Sequence, residues 1–327
     1  MRAFDYLRAS DVETAQSSGS KPDARFIAGG TTLVDLLRLN VERPALLVDL
    51  ARLPWSTLEP VANGVRIGAL LKNTELAYHP LVVRDYAVLS QALLAGASPQ
   101  IRNMASVGGN LLQRTRCSYF RDVAVEACNK RSPGSGCAAR EGYSRAHAVL
   151  GGSPHCIAVN PSDMCVALAA LEATIELQGP RGSRHVAIAD FHTLPGDHPE
   201  IESVLEPGEL VTSVLLPATT AGRQSAYVKA RDRASFAFAL ASAAVVLDLD
   251  GKQIRRARVA LGGVATKPWR CPETENALVG KSVSATTFAE AASHAASGAV
   301  ATNDNRFKIR LAERVVAQAL AVAAGTA

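Results

Sequence analysis

Four cysteines occur within forty residues of this 327-residue chain, in a polar segment that contains several glycines. Ten, eight and eighteen residues separate them, and no apolar run surrounds them that would explain them as core side chains. The stretch Ser132–Gly136 is flexible enough to bring distant thiolates together, and four thiolates are the ligand set of a [4Fe–4S] cluster. The sequence therefore predicts cluster ligands at Cys117, Cys128, Cys137 and Cys156.

Three other roles for these cysteines stay open from the sequence. A structural zinc site typically uses cysteines about two to four residues apart, and no such pair is present. Two disulfides would be typical of a small secreted domain, whereas this chain is large. Four unrelated thiols would be expected in apolar runs, such as the one around Cys165. Cys271 precedes a proline and has no partner in this motif, so the sequence assigns it no role.

Length and composition limit the class of protein. The chain exceeds the usual size of one hydrophobic core, so we expect two or three domains. Hydrophobic residues make up 48% of it, which is typical of a globular protein with helices and sheets. The net charge of +5 comes from 35 basic and 30 acidic residues dispersed along the chain, which argues against nucleic-acid binding. No apolar run approaches the roughly 20 residues that span a bilayer.

Hydrophobic patterning predicts short strands and helices that alternate, including a βαβ unit near the start. Residues 96–160 show no regular period and are predicted to be irregular. The polar residues 218–224 are predicted to be a linker between two domains. The predicted strands are 24–28, 45–50, 64–69, 174–177, 210–216, 239–248 and 254–262, and the predicted helices are 33–40, 86–95, about 164–173, 285–295 and 304–324.

Two glycine loops are candidates for binding an anion. Ala28–Leu33 follows a predicted strand and precedes a predicted helix, where backbone N–H groups and small residues allow a pyrophosphate to approach closely. This loop lacks the G-x-G-x-x-G spacing of a Rossmann fold, and a simple chain reversal is the alternative. Ser106–Asn110 adds further donors. Asp163 offers a carboxylate for a ribose hydroxyl, or alternatively a helix N-cap.

Taken in order, these motifs resemble the FAD-binding subunit of the molybdenum hydroxylases, the family of xanthine dehydrogenase and carbon monoxide dehydrogenase. The resemblance rests on Phe26–Leu33, Ser106–Asn110, Ser162-Asp163, Glu209–Val211 and Tyr227–Arg231. It implies an α+β fold: a two-part FAD-binding domain of the PCMH and CO dehydrogenase flavoprotein type, then a smaller C-terminal domain with an antiparallel sheet and helices. The expected domains are 1–220, with two α/β subdomains and a cysteine-rich insertion at about 112–160, and 221–327.

The resemblance also implies which residues bind FAD. Lys229 would lie near the flavin, although a solvated strand edge is the alternative, and Gly96 and Val211 are equally compatible with ordinary packing. The implied FAD-binding residues are Phe26, Ile27, Ala28, Gly29, Gly30, Thr31, Thr32, Leu33, Gly96, Ser106, Val107, Gly108, Gly109, Asn110, Asp163, Val211 and Lys229.

The cysteine insertion is similar to that of the flavin subunit of periplasmic aldehyde oxidoreductases, around Gln113–Cys117 and Cys128–Arg131. Those enzymes are heterotrimers in which this subunit carries a [4Fe–4S] cluster beside FAD. The similarity implies a large molybdenum-cofactor subunit and a small [2Fe–2S] subunit as partners, with electrons passing from the [2Fe–2S] clusters to FAD and on to an external acceptor.

No residue of this chain is expected to act as a catalytic acid or base. His147, His155 and His192 stand in loop-like segments without an identifiable partner, so we expect surface or turn roles for them. The first residues carry no secretory leader, and we therefore expect periplasmic export on a signal borne by a partner subunit, or otherwise a cytoplasmic location. Two rival functions stay open: a structural adaptor braced by zinc, and a self-sufficient flavin oxidase or dehydrogenase.

Overall fold

The computed structural model describes residues 1–219 and 221–327, and the chain begins with a small parallel sheet. Its strands are β1 (Asp5–Arg8), β2 (Ala24–Ile27) and β3 (Leu46–Asp49), and its helices are α1 (Val12–Gly19) and α2 (Leu33–Arg38). Strand β3 lies between β1 and β2 and pairs in parallel with both. The predicted βαβ unit, β2-α2-β3, is therefore confirmed.

A five-stranded antiparallel sheet follows, in the order β4-β5-β8-β6-β7. It contains β4 (Leu58–Val61), β5 (Gly64–Gly68), β6 (Thr174–Gly179), β7 (Gly182–Ala187) and β8 (Leu210–Pro217). Strand β8 returns to the centre of the sheet and pairs with both β5 and β6, so it joins elements that lie more than a hundred residues apart in sequence.

The helices of this part lie mainly between β5 and β6 in sequence. They are α3 (Asn73–Tyr78), α4 (Pro80–Asp85), α5 (Ala87–Ala95), α6 (Pro99–Met104), α7 (Val107–Leu111), α8 (Ser118–Arg121), α9 (Asp163–Ala170) and α10 (Ile188–Phe191). Residues 96–160 thus contain three short helices, which corrects the prediction of an irregular segment. Side-chain caps start two of them, because Ser98 accepts from Ile101 N and Ser106 accepts from Gly109 N.

The last part of the chain forms an antiparallel sheet in the order β12-β11-β10-β9, covered by helices. Its elements are the 3₁₀ turn Ala221–Arg223, β9 (Ser225–Ala230), β10 (Ala241–Asp250), β11 (Gln253–Gly262), β12 (Trp269–Arg270), α11 (Pro272–Leu278), α12 (Ala285–Ala292) and α13 (Phe307–Ala323). The predicted hairpin turn is confirmed, and Gly251 in it has a φ of 56°. The linker predicted at 218–224 includes Thr220, which lies outside the described residues.

Helix α9 connects the cores of the two larger sheets. Every residue from Met164 to Ala170 is buried, because the helix packs against α5 and also against β10 and β11. A helix that is apolar on all its faces is typically buried inside the protein. The mixture of helices with one parallel and two antiparallel sheets confirms the predicted α+β class. In the described residues, no helix is both long and apolar enough to cross a membrane.

Lys308, in the first turn of α13, ties the C-terminal helices to the end of the cysteine-rich segment. Its side chain is fully buried, and its Nζ donates hydrogen bonds to the carbonyls of Ala146 at 3.1 Å, His147 at 2.9 Å and Gly263 at 2.6 Å. Burial lowers the pKa of Lys308 to about 7. The ammonium is therefore held by neutral carbonyls alone, and removing it leaves three buried acceptors without their donor.

We expect Lys308→Met to lower the free energy of unfolding by about 2 kcal/mol at pH 7. The substitution removes the cost of burying a charged group, but the loss of the hydrogen bonds to three buried carbonyls costs more. Urea denaturation of the wild type and the variant measures this difference. Lys281→Met, at an exposed lysine, is the control and should change stability little. An equal stability of both variants would contradict the role assigned to Lys308.

The same residue predicts a pH dependence. The pKa of Lys308 is about 7 in the folded chain and about 10.5 when unfolded, so the unfolded state binds more protons between these values. The wild type therefore gains stability from this group as the pH rises above about 7, by up to about 1.4 kcal/mol per pH unit. Because Met does not titrate, the stability difference between the wild type and Lys308→Met should widen from pH 7 to pH 9.5. A constant difference would be inconsistent with a lowered pKa.

Candidate cofactor-binding site

The two glycine loops meet at one large cavity of about 760 Å³. This volume lies in the range of about 300–1,000 Å³ that is typical of small-molecule sites. The first loop follows strand β2, and Val211 lies near the start of β8. The predicted FAD-binding residues that line it are Phe26, Ile27, Ala28, Gly29, Gly30, Thr31, Thr32, Leu33, Ser106, Gly108, Gly109 and Val211.

The first loop must lack side chains because the main chain of another helix touches it. A Cβ atom on Gly29 would lie 2.0 Å from the carbonyl oxygen of Met104, at the end of α6. Gly30 has a φ of +72°, a conformation that L side chains rarely adopt. The loop is thus fixed against the segment that leads into the second loop, and its backbone faces the cavity.

The second loop is anchored to the segment that follows β5. Val107 N donates to Leu71 O at 3.0 Å, and Gly108 N donates to Ala69 O at 2.7 Å. Val107 is buried and does not line the cavity. Asn110 also lies outside the lining, because its Oδ1 accepts hydrogen bonds from Ser162 Oγ and from Gln113 Nε2, both at 2.7 Å. Asn110 therefore connects this loop to the start of α9.

Gly96, Asp163 and Lys229 form a second group that does not line the cavity. Asp163 Oδ2 lies 2.7 Å from Lys229 Nζ, and a Cβ on Gly96 would lie 3.2 Å from the same oxygen. Tyr227 OH donates to Asp163 Oδ1 at 2.5 Å, and burial raises the pKa of Tyr227. The side chain of Lys229 is 4% exposed, so the solvated-edge interpretation is wrong. The helix cap is Ser162, not Asp163, because Ser162 Oγ accepts from Cys165 N.

The four cysteines of the insertion converge on a second, much smaller cavity. Cys128 and Cys137 face each other across a short antiparallel bridge, and Cys117 and Cys156 complete the lining. All six cysteines of the chain are free thiols. Across residues 1–219 and 221–327, no three His, Cys, Asp or Glu side chains stand in an arrangement that would hold a single metal ion.

The thiols of this group are largely shielded from water, and those of Cys128 and Cys156 are buried. Burial raises the pKa of Cys117 to about 12 and also raises that of Cys156. Cysteine binds metals as thiolate, so loading the site would release protons. Phe120 lines the cavity and is 1% exposed, which excludes solvent from that side.

The two cavities share a wall made by Lys130, Cys156 and Ala158. Beside it, the Arg114 guanidinium lies 2.5 Å from both Glu42 and Glu202 and stacks 4.6 Å from the ring centre of Phe120. Lys130 Nζ lies 3.1 Å from Glu202 as well. Burial alone would raise the pKa of Glu202, but the charges of Arg114 and Lys130 hold it below its usual value. The larger cavity and the cysteine site are therefore direct neighbours.

Two histidines occupy positions that the sequence did not reveal. His147 Nε2 lies 3.1 Å from Cys117 Sγ, and burial, followed by the charge of Lys308, lowers the pKa of His147. His192 is buried with Nε2 2.9 Å from Leu111 O, and burial lowers its pKa too. Of the expected surface or turn roles, a surface location is wrong for both, because His147 packs against Cys117, 30 residues away, and His192 against Leu111, 81 residues away. His155 is half-exposed, 3.4 Å from Asp197.

Comparison with known families gives two adjoining matches. Residues 2–219 match the family described as the FAD binding domain in molybdopterin dehydrogenase. Residues 225–323 match the CO dehydrogenase flavoprotein C-terminal domain. The order of the two matches confirms the predicted architecture, an FAD-binding part followed by a smaller C-terminal part.

Individual relatives cover nearly the whole chain. The chain is 51% identical to the aldehyde oxidoreductase FAD-binding subunit PaoB of Escherichia coli K12, over 99% of each chain. It is 30% identical to subunit alpha of the 6-hydroxypseudooxynicotine dehydrogenase complex of Paenarthrobacter nicotinovorans, over 90% of this chain and 83% of the relative. Quinoline 2-oxidoreductase from Pseudomonas putida 86 contains a similar chain with a TM-score of 0.76 and 25% identity, over 99% and 98% of the two chains.

Gly29→Ala tests whether the large cavity is where FAD binds. The new methyl group collides with the Met104 carbonyl, so the loop must move, and we expect FAD affinity to fall about tenfold or more, equivalent to about 1.4 kcal/mol. Flavin fluorescence titration of the apoprotein measures the affinity. Gly251→Ala is the matched control: it strains the β10–β11 turn at φ +56° with no atom within 4 Å, and Gly251 is not part of the lining, so the variant should lower stability but leave FAD binding intact. Unchanged FAD affinity in Gly29→Ala would contradict the assignment of this loop.

Proposed function

This chain belongs to the family of FAD-binding subunits of molybdopterin dehydrogenases, and we propose from this premise that it is the electron-transfer subunit of a heterotrimeric, molybdenum-containing aldehyde oxidoreductase. As an oxidoreductase subunit it would receive electrons from [2Fe–2S] clusters of a partner and deliver them through FAD to an external acceptor. The observation that carries the proposal is the pair of adjoining sites: four converging cysteines beside a cavity built by two glycine loops.

The protein's contribution at the larger cavity is to bind and orient FAD, which when bound exchanges electrons in one- or two-electron steps. The first loop offers backbone donors to the pyrophosphate where the Gly29 contact with Met104 holds it in place. The buried Asp163–Lys229 pair is a fixed charged group at the start of α9. The family resemblance places this lysine near the flavin ring; since its side chain is bonded to Asp163 outside the cavity lining, its contact with the flavin stays a prediction.

The cysteine group would hold a [4Fe–4S] cluster. A structural zinc site typically takes cysteines about two to four residues apart. The four thiols share one cavity but none of them has such a close partner in sequence, which favours a [4Fe–4S] cluster. The zinc-braced adaptor is therefore the weaker alternative. A self-sufficient flavin oxidase or dehydrogenase is the other alternative, and turnover by this chain without any partner subunit would favour it.

The expected partners complete the proposed complex. A large subunit would carry the molybdenum cofactor and oxidise the aldehyde, and a small subunit would carry the [2Fe–2S] clusters. We also propose that the complex is exported to the periplasm on a signal borne by a partner. Cell fractionation tests this point, and recovery of the native complex only from the cytosol would contradict it.

The central test is the visible spectrum of the chain purified without oxygen, with iron and acid-labile sulfide counted per chain. We expect FAD together with about four irons. Cys128→Ser should lose most of that iron while FAD remains bound, because Cys128 lines only the smaller cavity. Cys271→Ala is the control, since that thiol is buried elsewhere, near Trp269 and Ala295, and iron should be unchanged.

Three other results would each count against part of the proposal. FAD with zinc instead of iron would favour the adaptor brace. FAD without any metal would leave an FAD subunit whose cysteines do not bind a cluster. Full iron in Cys128→Ser would exclude this residue as a ligand.

A further inference from the structure

His147 does not line the smaller cavity, but its ring contacts one of the thiols that do. Its Nε2 lies 3.1 Å from Cys117 Sγ, and the residue is 4% exposed. In the part of the chain that the structure describes, no other side chain lies within hydrogen-bond distance of any of the four sulfurs. Backbone N–H groups also reach these sulfurs: Ala158 N lies 3.4 Å from Cys156 Sγ, and the N–H groups of Tyr119 and Phe120 bond the Cys117 thiol.

The position of His147 is fixed by the C-terminal part of the chain. Lys308 Nζ donates to the His147 carbonyl at 2.9 Å, and Asn305 Nδ2 donates to the Ala148 carbonyl at 3.1 Å. Ser144, which accepts from His147 N, donates its own N–H to Asp304 at 2.9 Å. The start of α13 therefore holds the backbone on both sides of His147, and the ring has little freedom to turn away from Cys117.

The direction of the hydrogen bond follows from the chemistry of a metal-bound cysteine. Such a sulfur is a thiolate with no proton to donate, so it can only accept. His147 must then carry a proton on Nε2. Its Nδ1 is buried and has no hydrogen-bond partner among the described residues, so the contact with Cys117 is the single polar contact of this ring.

We propose that His147 is a positioning residue that donates its Nε2–H to the Cys117 thiolate and thereby raises the reduction potential of the cluster held by the four cysteines. The inference rests on the [4Fe–4S] cluster of the proposed function. A reduced cluster places more negative charge on its sulfurs, so the same hydrogen bond is stronger after reduction and favours the reduced form. No covalent bond forms or breaks and His147 keeps its proton; the only change is the gain of one electron by the cluster.

The test is a redox titration of the full chain at a fixed pH, followed by electron paramagnetic resonance, after iron and FAD have been counted. His147→Leu removes the donor and should shift the reduction equilibrium about tenfold toward the oxidised form, which is about 59 mV lower for a one-electron couple. His147→Gln places an amide N–H at the same number of bonds from the main chain and should stay within about threefold of the wild type. His147→Asn has the same amide but is too short, and should behave like His147→Leu. His294→Leu, an exposed histidine, should leave the potential unchanged.

If the wild-type chain contained no iron, the proposal that it binds a [4Fe–4S] cluster would be wrong, whatever the variants show. Iron-loaded His147→Leu or His147→Asn with the wild-type potential would overturn the role of His147 alone. An equal shift in His147→Gln and His147→Asn would also overturn it, because the donor would then be irrelevant. If His147→Leu binds no iron, the comparison of His147→Gln with His147→Asn tests the role of His147 in the same way. Loss of iron from His147→Asn but not from His147→Gln would support a hydrogen-bond donor at this position.

Discussion

The contact between the first glycine loop and the end of α6 is the constraint on which the rest of the site depends. The carbonyl of Met104 occupies the space where a side chain at residue 29 would begin. The parallel sheet that carries the first loop is thereby locked to the segment that carries the second loop, which is itself bonded to the chain after β5. The large cavity exists because these two loops, from separate sheets, are held at this distance.

The cysteine segment depends on contacts with every part of the chain. Lys130 reaches Glu202 in the loop before β8, Arg116 and Arg121 both bond Asp35 in α2, and Lys308 of α13 holds the far end. A segment with so few apolar residues has little hydrophobic surface to bury, so charged and main-chain hydrogen bonds must fix its conformation. A cluster bound there would be supported by the C-terminal helices as well as by the FAD-binding part.

The sequence predicted about half of the regular elements, because strands such as β3, β10 and β11 and helices such as α5 and α13 carry clear hydrophobic patterns, whereas most of the shorter elements do not. It missed β1 and β4, which are short and largely exposed, and Pro60 within β4 weakens the pattern further. Local sequence also located both glycine loops and the cysteine group. It did not reveal that Asp163 and Lys229 form a buried pair away from the cavity lining, since 66 residues separate them and only tertiary packing joins them.

The shared wall between the two sites is close to electrically balanced. Arg114 and Lys130 supply two positive charges, and Glu42 and Glu202 supply two negative ones, all within hydrogen-bonded pairs. Lys130 nevertheless lies close enough to the cysteines to act on them: burial raises the pKa of Cys156, and the charge of Lys130 opposes that rise. A group held by the cysteines would therefore be affected by this charge and by the hydrogen bonds made directly to its sulfurs. In this chain the side chain so placed is His147, and its placement is controlled by the first turn of α13 rather than by the cysteine segment itself.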